Sequence, residues 1–354
     1  IDSNGTFMKV VTDILAGPLS YLRVLDMSSF VAGPYCARIL AGLGAEVIKI
    51  EEPYRGDIAR KHGPFIGDTE HIEGSCLFSY LNSGKKSITL DIGSSEGNEI
   101  LGRLIQSAGV LIESLGPKQK ENMPISSEEW MKVNPELIIT SISNFGNNGP
   151  KYQRPATELT LLGEGGYLFL GGKPDKEPLK PYGYLGQYTG GLQAAVATLV
   201  ALLQRRITGR GQLIDISLQE SVAFLMNDAV PVYDHFGSIY SRQGSRVASS
   251  DHYGNYSGNV LPCKDGYVFV AIGQNPQMAS FLMGEEKFDS PEFWKKSSQY
   301  ADEIDAICIR WLQCRTREQA TTEAQEVNLV IAPVYTLDEV LDNCLLYTSD
   351  AADE

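Results

Sequence analysis

The sequence lacks several features that mark common classes of protein. It has 44 acidic residues against 30 Lys and Arg, a formal net charge of −14, whereas nucleic-acid binding requires clustered cations to neutralise phosphates. It also has no apolar run as long as a membrane-spanning helix. Hydrophobic and charged contents of 43% and 21% are ordinary for a folded protein. We therefore expect a folded protein that binds neither nucleic acid nor a membrane.

Residues that form disulfides or bind metals are also scarce. The six Cys form no CxxC pair and no regular pattern, and the four His are scattered. A disulfide framework needs regularly spaced Cys, and a zinc site needs clustered Cys or His. We therefore expect reduced thiols in a cytoplasmic protein, and no metal site.

The first recognisable unit is a βαβ unit without a glycine fingerprint. LRVLDMS (22–28) and AEVIKIEEP (45–53) are its apolar strands, and YCARILAGLG (35–44) is the helix between them. Such a unit binds a dinucleotide where its first turn reads GxGxxG, but this turn reads SFVAGP (29–34). The pattern indicates a Rossmann-like unit whose ligand is not NAD, which disfavours a dehydrogenase.

Alternating strands and helices continue along the chain and predict an α/β fold. Residues 18–220 are predicted to form a large Rossmann-like domain with a mostly parallel sheet. Residues 221–252 are predicted to be a linker, in which ESVAFLMNDAVPVYDHFG (220–237) is a helix leaving the domain and the part after it is polar and Gly/Ser-rich. Residues 253–343 are predicted to form a smaller α/β domain. The last stretch, CLLYTSDAADE (344–354), matches one reading frame of a sequencing adaptor. We expect it to be read-through that replaces a C-terminal return to the large domain.

Five stretches, in a consistent order, resemble the class III CoA-transferases, the family of formyl-CoA transferase, carnitine CoA-transferase and α-methylacyl-CoA racemase. They are residues 22–57, 81–92, 110–117, 204–221 and 328–343. A further stretch, RPATELTLLGEGG (154–166), resembles a subgroup of the family whose sequence at this place is similar to TELTLQA. The resemblance implies a Rossmann-like large domain, a smaller α/β domain and an interlocked dimer. It also implies transfer of CoA between an acyl-CoA thioester and a carboxylic acid, with no cofactor besides CoA as a substrate.

The resemblance further implies a carboxylate nucleophile. In the family an Asp attacks the thioester to form a mixed anhydride, and the released CoA then forms an enzyme thioester. A carboxylate can do this because its oxygen is nucleophilic and its acyl carbon then becomes electrophilic. The family's Asp lies 21 residues before the Thr of the TGRGQ turn, and Gln187 stands at that distance from Thr208. An amide does not ordinarily form the anhydride, although it donates and accepts hydrogen bonds.

Gln187 leaves several interpretations open. Glu158 is the first candidate for a substitute nucleophile or general base, and the alternative is that it is a capping or salt-bridged residue. Without a substitute, the chain is a catalytically silent acyl-CoA-binding member or the partner subunit of a heteromer. Racemase chemistry is disfavoured because its His/Asp pair falls on Thr157 and Gln187, which are not bases at neutral pH. We expect a homodimer or a heteromer with a related subunit.

The resemblance also assigns residues to CoA. Lys85, in SGKKS (83–87), is expected to reach a CoA phosphate, since phosphate groups are bound by cations. Val31, Ala32, Ser114 and Leu115 are expected to line the path of the adenine and pantetheine groups. The alternative for SGKKS is a solvated loop.

Overall fold

The computed structural model describes residues 17–342 except 122, 124, 125 and 248–255. These residues form two compact units: one contains the chain up to 168 together with 180–227, and the other contains 169–179 and the chain from 228 onwards. Helices occupy part of the stretch that was predicted to be a linker, 221–252. The stretch predicted to be adaptor read-through, 344–354, lies outside the described residues.

A six-stranded parallel sheet forms the centre of the first unit. Its strand order is β3-β2-β1-β4-β5-β6, and every neighbouring pair is parallel. This is the doubly wound order, in which the strand sequence reverses between β1 and β4. It confirms the predicted α/β class and the Rossmann-like sheet. The strands are β1 (Arg23–Met27), β2 (Glu46–Glu51), β3 (Lys86–Thr89), β4 (Val110–Glu113), β5 (Ile138–Ser143) and β6 (Leu213–Ser217).

Helices connect these strands. Two short 3₁₀ turns, Ile58–Lys61 and Ile66–Asp68, follow β2. The helices are α1 (Ala32–Gly42), α2 (Cys76–Asn82), α3 (Ser95–Gln106), α4 (Pro117–Glu121), α5 (Ser127–Val133), α6 (Glu158–Glu164), α7 (Tyr167–Leu170), α8 (Leu185–Thr208) and α9 (Leu218–Phe224).

The central strands are buried on both faces. On β1, Val24 belongs to the core that includes α1 and α8, while Leu25 belongs to the core that includes α3 and α5. On β4, Ile112 and Leu111 divide between the two cores in the same way. Because both faces are covered, such strands read as continuous apolar runs rather than as alternating ones. That is why the sequence predicts them well.

The second unit is built on a three-stranded antiparallel sheet in the order β7-β8-β9. Its strands are β7 (Asn259–Cys263), β8 (Gly266–Ala271) and β9 (Val330–Pro333). From 228 onwards the helices are α10 (Ala229–Phe236), α11 (Pro276–Met283), α12 (Pro291–Trp294), α13 (Ala301–Leu312), α14 (Arg317–Glu326) and α15 (Leu337–Leu341). This unit has its own core, in which Val268, Phe288 and Ile304 are fully buried.

A glycine lets α8 pack closely against the start of α1. A Cβ built on Gly191 would lie 2.4 Å from the carbonyl oxygen of Ala32, well inside van der Waals contact. The close approach sets the position of the first turns of α8 relative to the loop that follows β1. This packing therefore fixes where Gln187, on the first turn of α8, lies.

We expect Gly191→Ala to lower the free energy of unfolding by about 1–3 kcal/mol, because the added methyl group overpacks a backbone contact. Gly102→Ala on α3 is the matched control, since a Cβ there meets nothing within 4 Å. Alanine is the better helix former, so the control should be neutral or stabilising by up to about 1 kcal/mol. Urea unfolding of both variants measures the difference, and equal stability would contradict the packing argument.

Candidate functional site

A cavity of about 730 Å³ lies in the first unit, at the carboxyl ends of the parallel strands. Ligands of doubly wound sheets bind at this edge, where the strand order reverses. The wall includes Met27 and Ser28 at the end of β1, Ser143 and Asn144 at the end of β5, and the first turn of α8.

The cavity brings together five of the seven predicted site residues. These are Gln187, Glu158, Ala32, Ser114 and Leu115. Val31 does not line it and is fully buried at 0% exposure. Lys85 does not line it either, so the expected contact between Lys85 and a CoA phosphate has no counterpart in the cavity wall.

Lys85 instead belongs to a buried charge cluster formed by Asp26, Lys49, Asp57 and Lys85. Its Nζ donates to Asp26 Oδ2 at 2.8 Å, to the carbonyl oxygen of Pro34 at 2.8 Å and to Asn82 Oδ1 at 2.9 Å. Three acceptors satisfy all three donors of an ammonium group. The alternative of a solvated SGKKS loop does not describe this side chain either, because it is 1% exposed.

The two ammonium groups of the cluster lower the pKa of Asp26. Lys49 Nζ lies 2.7 Å from Asp57 Oδ2 and 3.7 Å from Asp26 Oδ2. Burial alone would raise the pKa of Asp26, but the charges of Lys49 and Lys85 outweigh it and lower that pKa to about 2. Two negative and two positive charges therefore compensate one another inside the protein.

The cluster holds the loop after β1 in place. Asp57 Oδ1 accepts the backbone N–H of Phe30 at 2.9 Å and that of Ala59 at 2.8 Å. Phe30 has a φ of 74°, a left-handed conformation that is unfavourable for a bulky residue. The same carboxylate thus fixes a strained loop residue and the start of the turn Ile58–Lys61 on the cavity wall.

Helix α8 begins earlier than the sequence pattern indicates, and Glu158 gives the reason. The pattern places the start near residue 189, whereas the helix begins at Leu185. Glu158 Oε1 accepts the backbone N–H of Gly186 at 2.7 Å, and Oε2 accepts that of Gln187 at 3.3 Å. Glu158 is therefore the anion that the free N–H groups of a helix start attract. It fills the capping role while also lying on the cavity wall.

The environment of Glu158 favours its protonated form. Burial raises its pKa, although the two backbone N–H groups oppose the shift. Its carboxylate forms no ion pair within 4 Å with any residue that the structure describes. Glu51, another acid on the wall, is instead paired with Arg60, whose Nε donates to Oε2 at 2.7 Å and whose Nη2 donates to Oε1 at 2.9 Å. In a dinucleotide-binding unit the acid ending β2 binds a ribose, so its pairing with Arg60 agrees with the absence of the fingerprint.

An aromatic group on the same wall was not predicted from the sequence. The ring of Phe30 lies 5.0 Å from that of His62 and 5.0 Å from that of Tyr184, between centroids. Phe30 and His62 line the cavity, and Tyr184 is the residue before α8. Asp57 is a residue type that caps turns and so indicates the turn Ile58–Lys61, but no sequence pattern marks the three rings.

The structure also gives the placement of metal-binding side chains, the character of the helices and the state of the cysteines. Across the described ranges, no three His, Cys, Asp or Glu side chains come together as a metal site would require. None of the described helices combines the length and apolar character that a membrane span needs. The five cysteines in the described part of the chain are free thiols.

Comparison with known proteins gives consistent matches along the chain. The family model of CoA-transferase family III matches residues 19–351. Succinyl-CoA–D-citramalate CoA-transferase of Chloroflexus aurantiacus is 32% identical over 339 residues, covering 92% of this chain and 80% of the relative. The alpha subunit of succinyl-CoA–L-malate CoA-transferase from the same organism is 30% identical, with 92% and 76% covered. A crystal structure of a CAIB/BAIF family protein from Brucella suis matches with a TM-score of 0.81 and 28% identity, covering 94% of this chain and 88% of that one.

We expect Asp26→Asn to lower the free energy of unfolding at pH 7 by about 3–5 kcal/mol, because it leaves two buried ammonium groups with one carboxylate. The pKa of Asp26 is lowered from 3.8 to about 2 on folding, so its charge stabilises the fold above pH 4. That stabilisation is lost as the pH falls toward 2. Urea unfolding at pH 7, 4 and 3 should therefore show the difference from wild type narrowing below pH 4. A difference independent of pH would show that the carboxylate's charge is not what stabilises the cluster.

Proposed function

The chain belongs to CoA-transferase family III, and we propose that Glu158 carries the acyl and CoA groups as CoA moves between an acyl-CoA thioester and a carboxylic acid. The supporting observation is the position of Glu158. Its carboxylate lies on the cavity wall, bound to the backbone N–H groups of Gly186 and Gln187 and without an ion-pair partner in the described residues. It is thus next to Gln187, the position to which the family resemblance assigns the nucleophilic Asp.

The proposed reaction proceeds by acyl substitutions that need no external proton or electron. A Glu158 carboxylate oxygen attacks the thioester carbon, the C–S bond breaks and CoA leaves as a thiolate. The thiolate attacks the Glu158 acyl carbon and releases the original acid as a carboxylate. The acceptor carboxylate then attacks the Glu158–CoA thioester, and the thiolate released again attacks the acceptor's acyl carbon. The product is the new acyl-CoA, and Glu158 is restored.

Gln187 and the start of α8 supply the polar groups for these steps. The first turn of a helix stabilises negative charge, which develops on the thioester oxygen during each attack. The Gln187 side-chain amide has two donors and lies on the same wall. We therefore propose that Gln187 orients the thioester carbonyl and does not itself attack it.

The relatives and one cationic side chain suggest the substrate class. Both curated relatives carry succinyl-CoA, a dicarboxylic acyl-CoA, in their names. Arg154 lines the cavity and makes no side-chain hydrogen bond or ion pair within the described part of the chain. We propose a dicarboxylic acyl-CoA donor whose free carboxylate binds Arg154. Ala32, Ser114 and Leu115 are the proposed contacts of the CoA moiety.

A second candidate function is that of a partner subunit in a heteromeric CoA-transferase. Gln187 favours it, because a chain without the family's Asp could leave the chemistry to a related subunit. Alpha and beta subunits of succinyl-CoA–L-malate CoA-transferase both resemble this chain. Both this assembly and a homodimer remain proposals, and the same exchange assay separates an active chain from a silent one.

The assay incubates the chain with unlabelled succinyl-CoA and ¹³C-labelled succinate and follows label entering the thioester by mass spectrometry. We expect exchange in wild type, at least a 100-fold loss in Glu158→Gln, and retention of exchange in Gln187→Ala at a rate reduced by about 10-fold or more, since one donor to the oxyanion is lost. Thermal unfolding verifies that Glu158→Gln is folded.

Other outcomes would contradict the proposal. Exchange that survives Glu158→Gln excludes Glu158 as the carrier. No exchange in wild type, together with exchange gained in Gln187→Asp, assigns this chain to the silent class. Mass spectrometry of the protein after incubation with acyl-CoA and acid quenching should also detect CoA bound through Glu158.

The exchange rate should depend on pH through Glu158. Only the carboxylate is nucleophilic, and burial raises its pKa above the ordinary 4.5, so the rate should fall as the pH drops through that raised value. A raised carboxyl pKa favours folding at low pH rather than high pH, so protonating Glu158 does not itself unfold the chain. Initial rates from pH 8 to pH 4, with near-ultraviolet circular dichroism as the control for folding, measure this. A rate that stays constant down to the ordinary carboxyl pKa of 4.5 would contradict the assignment.

A further inference from the structure

His62 lies on the wall of the same cavity as Glu158 and Gln187, and the reaction described above does not use it. Its Nδ1 lies 3.0 Å from the carbonyl oxygen of Ile58. A carbonyl oxygen can only accept, so in the neutral ring this contact assigns the proton to Nδ1 and leaves a lone pair on Nε2. Nε2 has no hydrogen-bond partner among the residues that the structure describes.

The imidazole is held in a fixed orientation. His62 follows the turn Ile58–Lys61, in which the N–H group of Ala59 is capped by Asp57. Its ring packs against Phe30, and the backbone N–H of Phe30 binds the same Asp57 carboxylate. Nε2 is therefore an acceptor held by the buried charge cluster, and it needs no rearrangement to receive a donor.

We propose that Nε2 of His62 accepts a hydrogen bond from a hydroxyl group of the acceptor acid, so that the site selects hydroxy acids over their deoxy analogues. The inference rests on the proposed function, because it assigns the substrate class of that same cavity. A neutral imidazole with its proton on Nδ1 offers only an acceptor at Nε2, and a hydroxyl group is the donor that an acid substrate can carry. A deoxy analogue bound in the same place leaves this acceptor without that hydrogen bond.

The serine and asparagine side chains of the wall do not impose the same selection. Ser114, Ser143 and Asn144 each carry both donor and acceptor groups, so they can pair with a carboxylate, a carbonyl or a hydroxyl. His62 discriminates between hydroxy and deoxy acids because Nε2 of its neutral ring can only accept a hydrogen bond.

The test uses acceptor acids that differ only by the hydroxyl group. With succinyl-CoA as donor, kcat/KM is measured for citramalate against methylsuccinate, lactate against propionate, and 3-hydroxybutyrate against butyrate. In the wild-type chain we expect one pair or more to show a preference for the hydroxy acid of about 10- to 100-fold. His62→Phe keeps the ring packing against Phe30 but removes the acceptor, and should reduce the preference to near unity by slowing the hydroxy acid alone.

His62→Gln is the matched control, since its terminal amide can place an oxygen near the position of Nε2 and should retain part of the preference. The rate with the deoxy acids shows that each variant is folded and active. Transfer without any preference in wild type, or a preference that survives His62→Phe, overturns this inference and leaves the proposed function standing. Absence of transfer to every acid, together with absence of succinyl-CoA/succinate exchange, overturns both.

Discussion

The buried charge cluster of Asp26, Lys49, Asp57 and Lys85 is the constraint on which the site depends. Burying four charged groups costs desolvation free energy, and this cost is offset only when each group has close partners of opposite charge and hydrogen bonds. Here each partner also holds a piece of backbone: Asp57 binds the N–H of Phe30, and Lys85 binds the carbonyl oxygen of Pro34. The cluster therefore does more than balance charge. It sets the path of the loop after β1, where a dinucleotide-binding unit uses glycines instead.

A second constraint joins the fold to the chemistry at the start of α8. The helix needs an anion for its first N–H groups, and Glu158 provides it from the start of α6. The two hydrogen bonds hold the carboxylate at a defined place on the cavity wall, while burial keeps its pKa raised. A carboxylate with a raised pKa is more basic, and for oxygen nucleophiles of one type higher basicity brings higher nucleophilicity. The capping role that was first weighed as an alternative to chemistry is thus compatible with it.

The sequence predicts those parts of the structure that local pattern determines. The strands β1 and β2 contribute to the cores on both faces of the sheet and appear as apolar runs, so they are predicted to within a few residues. Contacts across long separations are not predictable in this way. Lys85 and Asp26 are 59 residues apart, and their ion pair holds the Lys85 side chain in the buried charge cluster rather than on the cavity wall. The early start of α8 depends on Glu158, which is 28 residues from Gly186 in the sequence. Tyr184, the residue before the helix, makes no capping hydrogen bond with its own side chain. His62 was missed because a lone histidine carries no pattern, and only its contacts with Ile58 and Phe30 reveal its place.

An uncharged residue at position 187 also affects the pKa of Glu158. Two carboxylates at one helix start repel, so that one of them takes up a proton more readily and its pKa rises. An Asp at position 187 would stand beside the carboxylate that already binds the N–H groups of Gly186 and Gln187, and the helix start would have to stabilise two charges. Gln187 leaves Glu158 as the one acid that this turn stabilises, with the charge of the helix start directed at it. In the proposed reaction, Gln187 rather than Asp at this position therefore favours the ionised form of Glu158, and its side-chain amide can hold the thioester oxygen during attack.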